Sequence, residues 1–210
     1  MIITEIPVSL TLPPSEIPRS PGQHVSGIIR CMATEMGILK PEWAEELSLV
    51  DVREIKDPTA ILRMLIGLSW ERYYVQEILA PKLGVVHQPG ELSYDGVYGS
   101  PDGESLSTFL LEGKNRLESV MHEIKSTYKS VNTVGDVTGE FMWLSQIKAY
   151  CKMRGTTHAM LHVLFICGDY KFPIRPIPKM WQLEFTQQEV DDNWSLLMDY
   201  LRERRRIEAQ

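Results

Sequence analysis

Apolar and polar residues alternate along this chain in two periods. A helical period runs over about residues 24–38 and again from Asp57 to about Pro81, where Asp57 reads as an N-cap, Pro58 as a first-turn residue and Pro81 as the stop. Strand character follows near 84–98, 104–112 and 117–126, and the breaker-rich stretch 127–139 (Asn132, Gly135, Gly139) reads as a loop. A helix is expected over about 140–154, an apolar and central strand over 157–167, and a short strand over Met180–Phe185. Thr186-Gln-Gln-Glu189 has the capping-box pattern and opens a last helix that ends in Arg202-Glu-Arg-Arg-Arg206. Residues 1–22 are Pro-rich and read as an extended arm, leaving 23–210 as a single domain. Strands mixed with helices in this order predict an α/β class, with a mixed central sheet flanked by helices.

Composition narrows the picture only a little. The 210 residues, 43% hydrophobic and 24% charged, suffice for one sizeable core. No run of about 18 apolar residues offers a membrane span. The start, Met-Ile-Ile-Thr-Glu-Ile-Pro, has no basic signal-peptide region, so a cytoplasmic location is expected. Cys31, Cys151 and Cys167 are odd in number and widely spaced, which suits a reducing compartment and not a four-ligand zinc or iron–sulfur site.

Charge is more informative by segment than in sum. The net −6 divides into −8 over residues 1–113 (8 Lys/Arg, 16 Asp/Glu), +5 over 114–179 (10 and 5) and −3 over 180–210 (4 and 7). The basic excess suits a phosphate backbone.

That basic segment contains Glu123-Ile124-Lys125. On a strand, Glu123 and Lys125 point the same way and Ile124 points oppositely. A carboxylate and an ammonium on one face, with an isolated acid such as Asp102 after Pro101, form a minimal kit for metal-assisted phosphodiester cleavage. The acid-x-Lys pattern occurs four times: at Glu54, Glu112, Glu123 and Asp169. Glu54 lies in a charged connection and Asp169 in a loop. Glu112 ends an apolar run, but Gly113-Lys114-Asn115 reads as a hairpin turn. Glu123 alone lies inside an unbroken strand run, with Glu112 kept as its rival. Asp95, in Ser-Tyr-Asp95-Gly, is a second candidate for the strand acid.

Two helices supply further candidates. Glu71 falls within about 60° of Met64, Leu68, Val75 and Ile78 on a regular helix, so it centres an apolar stripe where an uncompensated carboxylate is costly. Gln146 and Tyr150 are one turn apart and can reach a nucleic-acid backbone, with Lys148 and Lys152 on a neighbouring face. His122 points to the face opposite Glu123 and reads as a core residue. His24, His87, His158 and His162 form no metal-binding spacing, apart from the i, i+4 pair His158/His162, which also reads as structural.

In order, Gly67-x-x-x-Glu71, Gly99-Ser-Pro-Asp102-Gly, His122-Glu123-Ile-Lys125-Ser and Gln146-x-x-x-Tyr150 resemble the PD-(D/E)xK nuclease superfamily, in its RecB-like and lambda-exonuclease-like branch. The resemblance spans about residues 60–165, with a plausible preceding helix from His24. It departs from the usual pattern in the 21-residue separation of Asp102 from Glu123. It implies a restriction-endonuclease-like core and a Mg²⁺- or Mn²⁺-dependent deoxyribonuclease, an exonuclease in DNA recombination, repair or degradation. It also implies metal ligation by Glu71, Asp102, Glu123 and the Ile124 carbonyl, with Lys125 catalytic. No iron–sulfur cluster is expected. The implied partners are DNA, a separate helicase or recombination protein, and further copies of the chain. A catalytically inactive nuclease-fold module that binds DNA or assembles with other proteins is the alternative.

Overall fold

A computed structural model describes residues 20–40, 57–111 and 114–208. The expected arm, up to residue 19, and the rival Glu112 lie outside the described residues, as do Glu54 and Lys56.

The chain opens with β1 (Gln23–His24) and α1 (Val25–Glu35). Next comes α2 (Pro58–Tyr73), capped by the Asp57 carboxylate, which accepts from the Thr59 and Ala60 N–H groups at 3.1 and 3.0 Å. This helix does not stop at Pro81. It widens into a π-helical turn over Tyr74–Leu79 and resumes as α3 (Ala80–Leu83), ending on Gly84 with φ 64°. Pro81 falls in the first turn of the resumed segment, where its missing N–H is least harmful. The single strand expected over 84–98 is three short ones, β2 (Val86–His87), β3 (Leu92–Tyr94) and β4 (Val97–Gly99). Pro89-Gly90 and the Asp95-Gly96 turn, with φ 50° and 75°, interrupt it.

The long strands follow the expected spans more closely: β5 (Gly103–Leu111) and β6 (Lys114–Thr127). The expected loop after them contains a short helix, α4 (Val131–Val134), with Ser130 as its cap. Then come α5 (Phe141–Arg154), β7 (His158–Phe165), β8 (Ile177–Glu184) and α6 (Gln187–Glu208). The capping box forms as expected: Thr186 N–H donates to Glu189 Oε2 at 2.8 Å, and Glu189 N–H to Thr186 Oγ1 at 3.1 Å.

The main sheet has the order β2-β5-β6-β7-β8, with β6 and β7 parallel and its other pairs antiparallel. A small sheet, β1-β4-β3, stands beside it. β7 is an interior strand, between β6 and the edge strand β8, and is almost wholly buried, in keeping with its apolar sequence. One sheet face packs on α1, α5 and α6 through Val25, Ile29, Met121, Ile147, Leu161 and Trp194. The other carries a smaller cluster of Val75, Leu79, Val85 and Ile124 under Trp70 and Tyr74. Fully burying each such side chain contributes roughly 1.5–3 kcal/mol.

A polar chain crosses the second face. Ser105 Oγ meets His122 Nε2 at 2.9 Å, His122 Nδ1 meets His162 Nε2 at 3.0 Å, and His162 Nδ1 meets Tyr74 Oη at 3.4 Å. His122 is thus a core residue, and a neutral imidazole at each position donates once and accepts once. Burial holds His122 down to about 4, and burial together with His122 holds His162 down to about 3. Below about pH 6.5 the unfolded chain takes up protons that the folded chain refuses, so stability falls as pH drops and is unaffected above that value. Urea denaturation at about pH 7 and about pH 5 should show roughly 2–4 kcal/mol lost to these two imidazoles. A His122→Gln/His162→Gln variant should show a flatter pH dependence, and an unchanged slope would contradict this assignment.

Candidate active site

The site forms where two strands part. β5 pairs with β6 only as far as Gly103↔His122. Upstream of that point the chain turns away through Pro101-Asp102, and the Ile124 N–H has no β5 carbonyl to meet. Asp102 Oδ2 accepts it at 2.8 Å. Gly103 allows the close approach, since a Cβ there would lie 2.7 Å from Val85 Cγ1. The Asp102 carbonyl in turn accepts from the Gln88 N–H at 3.0 Å.

Alternation along β6 then sets the faces as expected. Ile124 is buried in the second-face cluster, and Glu123 and Lys125 point to the side of α1 and α5. Glu123 is 1% exposed. The Lys125 ammonium donates to Glu123 Oε1, and it lies 3.4 Å from Gln146 Oε1. Gln146 Nε2 donates to the Tyr150 hydroxyl at 2.8 Å. The i, i+4 pair is therefore internally bonded and also turned toward the site.

Glu71, in the last turn of α2, joins the group. Its Oε1 accepts from His87 Nε2 at 3.0 Å and from Gln88 Nε2 at 3.2 Å. These two partners were not anticipated from sequence. They are placed by the pairing of His87 with Gly103, which no local pattern announces. Glu71 sits on the predicted apolar stripe only in part, because the π-helical turn starting at Tyr74 rewinds the helix beyond it and Leu68 is exposed.

The electrostatics follow from crowding acids in a desolvated place. Asp102 is held well above the usual carboxylate range, by burial first, then by Glu123 and Glu71, with Lys125 and the Ile124 N–H pulling the other way. Burial likewise raises Glu123, with Lys125 opposing and Glu71 adding to the rise. Burial works against the Lys125 ammonium, but Glu123, Asp102 and Glu71 outweigh it and hold Lys125 above its ordinary value. Three carboxylates thus share one ammonium.

A cleft of about 250 Å³ opens beside them, lined by Asp102, Lys125, Gln146 and Tyr150 and closed by His24, Arg30, Tyr98 and Trp143. Gly99 forms its tight corner, with a Cβ position only 2.8 Å from the Tyr150 ring. The remaining candidates lie elsewhere. Asp95 sits in the β3–β4 turn and accepts from Trp194 Nε1 at 3.0 Å, so it is not an acid of this cluster. Lys148 stands 5.2 Å over the Phe185 ring. Lys152 bonds Asp191 at 2.7 Å and stands over Tyr94. Both lysines face away from the cleft lining, toward α6 and the small sheet.

The donor set suits a hard cation. Asp102, Glu123 and Glu71 offer oxygen only, and the buried Glu123 Oε2 has no hydrogen-bond partner. Among the described residues no three acidic, imidazole or thiol groups stand ready as a closed metal cage, and Lys125 engages Glu123 Oε1. A divalent ion would relieve the mutual repulsion of the acids. Removing the ammonium instead should sharpen that repulsion. Lys125→Met should destabilise the fold by about 3 kcal/mol near pH 8. Because the folded carboxyls titrate above their unfolded values, the loss should fade as pH falls through those raised values, already above the ordinary carboxylate range near about 4. Denaturant titration of both proteins across pH measures it, and an equal loss at every pH would refute the electrostatic account.

No family model and no curated protein matches the chain. Solved structures do. The alkaline exonuclease LHK-Exo from Laribacter hongkongensis matches with a TM-score of 0.52 at 14% identity, covering 87% of each chain. Its complex with dAMP matches equally. A phage related exonuclease from Haemophilus somnus 129PT gives a TM-score of 0.48 at 9% identity, over 85% of this chain and 91% of that one. The mixed sheet flanked by helices thus has the fold of the Laribacter alkaline exonuclease.

Proposed function

We propose that the chain is a metal-dependent DNA nuclease that hydrolyses phosphodiester bonds, acting as an exonuclease in recombination, repair or degradation of DNA. The observation that carries this reading is the convergence of Glu71, Asp102, Glu123 and Lys125 at the parting of β5 and β6, with Asp102 and Lys125 lining one cleft. The shared fold supports it, and so does the capture of a nucleotide, dAMP, by the Laribacter exonuclease.

In this reading Glu71, Asp102, Glu123 and the Ile124 carbonyl would hold Mg²⁺ or Mn²⁺. Such an ion lowers the pKa of water and offsets charge on a phosphoryl group. Asp102 keeps its orientation through the Ile124 N–H, and His87 with Gln88 fixes Glu71. Lys125, held charged by its acid neighbours, orients the attacking water or meets the charge developing on phosphate. Gln146 and Tyr150 position the strand backbone along the cleft. In-line attack by water forms one P–O bond as the P–O bond to the leaving sugar oxygen breaks, and that oxygen leaves as a hydroxyl after taking a proton from solvent. A separate helicase or recombination protein and self-assembly are proposed partners of the same activity.

One observation favours the second reading, an inactive nuclease-fold module: Lys125 closes on Glu123 where a metal ligand is needed. Cleavage decides between them. Linear, circular and single-stranded DNA incubated with Mg²⁺ or Mn²⁺ should be degraded in an EDTA-sensitive way, linear DNA fastest if ends are required. Asp102→Ala and Lys125→Ala should each lower the rate by about a hundredfold or more while keeping the folded circular-dichroism spectrum. Full activity in both variants would overturn the assignment, and a gel shift without cleavage would favour the module.

A further inference from the structure

The connection between β7 and β8 is longer than its geometry needs. The two strands pair antiparallel from His158↔Glu184 to Phe165↔Ile177, ends that a hairpin of two to five residues commonly joins. The chain instead spends residues 166–176 there. Loops of this kind, beyond what closure requires, are where binding function concentrates.

The base of this loop is built firmly. Gly168 N–H donates to the Phe165 carbonyl at 3.0 Å and Tyr170 N–H to the Cys167 carbonyl at 3.0 Å. Asp169 Oδ1 accepts from the Lys171 N–H at 3.0 Å, and the Tyr170 hydroxyl donates to the Tyr128 carbonyl. Gly168 has φ 55°, and a Cβ there would lie 2.2 Å from the Arg175 carbonyl oxygen, so the turn is closed on itself. Its apex faces solvent all the same. Phe172 is 96% exposed, and Tyr170 and Ile174 are more than half exposed. Packing within the chain does not account for a phenyl ring in that position.

Place and charge indicate the occupant. The Ile166 N–H donates to the Thr127 carbonyl at 2.9 Å, two residues beyond Lys125 on the same strand, so the loop rises from the end of the sheet that carries the site. Residues 166–179 hold Lys171, Arg175 and Lys179 against Asp169, net +2 in a chain of net −6. Lys171 meets Asp169 only at 3.6 Å and is itself mostly exposed. An exposed aromatic ring amid cations fits a polyanion with stackable bases better than an apolar protein pocket.

We infer that the 166–176 loop is a contact surface for a single-stranded nucleic-acid segment, with the Phe172 ring stacking on an unpaired base and Arg175 and Lys171 meeting flanking phosphates. This rests on the nuclease reading and names the strand that its site receives. Fluorescence anisotropy of a labelled single-stranded oligonucleotide, in EDTA to prevent cleavage, tests it on the full chain. Phe172→Ala should weaken binding roughly tenfold without moving the thermal midpoint, since the 96% exposed ring packs on none of the described residues. Phe172→Trp should restore affinity and show indole fluorescence quenched by the oligonucleotide. Arg175→Gln should reduce the slope of log K against log salt by about one phosphate contact. Wild-type affinity in Phe172→Ala, in a preparation whose unsubstituted chain degrades DNA, would overturn the inference and leave the nuclease reading standing. Failure of the unsubstituted chain both to bind and to cleave DNA would remove the two together.

Discussion

The hydrogen bond from the Ile124 N–H to Asp102 joins fold and site. A buried N–H left without an acceptor costs about 1–3 kcal/mol, so a sheet whose strands separate must supply a substitute where pairing ends. Here the substitute is a carboxylate. It lets β5 diverge from β6 at Gly103, it draws Asp102 against the strand that carries Glu123 and Lys125, and it opens the cleft toward α1 and α5. The Asp102 carbonyl in the same turn accepts from Gln88, and Gln88 with His87 holds Glu71. Three acids from three distant parts of the chain are therefore assembled around the end of one strand pair.

That assembly is electrostatically expensive, and the expense points to function. Burial and mutual repulsion raise both Asp102 and Glu123, while a single ammonium answers three carboxylates. A purely structural core at this place would be cheaper with apolar residues of similar volume. The second sheet face shows the contrasting solution. Its polar groups, Ser105, His122, His162 and Tyr74, are matched donor to acceptor and kept neutral, so they need no ion.

Much of this arrangement was legible in the residues, because it depends on short-range periodicity. Period-two alternation placed Glu123 and Lys125 together and Ile124 in the core. Cap chemistry gave the starts of the helices at Asp57 and Thr186. The Asp-Gly pair at Asp95-Gly96 marks a turn, but only the bond from Trp194, 99 positions away, shows that Asp95 lies apart from the acid cluster. The π-helical turn after Tyr73 is not legible in the residues, since no local pattern marks it; within it Tyr74 meets His162 Nδ1 at 3.4 Å, and the helix face is shifted beyond it. Lys148 and Lys152 share the helix of Gln146 and Tyr150, but periodicity does not say which neighbour covers which face. The C-terminal helix covers theirs, through Asp191 on α6 and Phe185 just before it.

The proposed nuclease chemistry requires Asp102, Glu123 and Glu71 to hold a divalent cation through oxygen ligands. Calorimetric titration of Mn²⁺ into the chain, without nucleic acid, tests it most directly. Saturable binding should raise the thermal midpoint, be lost in Asp102→Asn and in Glu123→Gln, and survive in Asp95→Asn. No saturable binding by the unsubstituted chain, or identical isotherms in all four proteins, would contradict it.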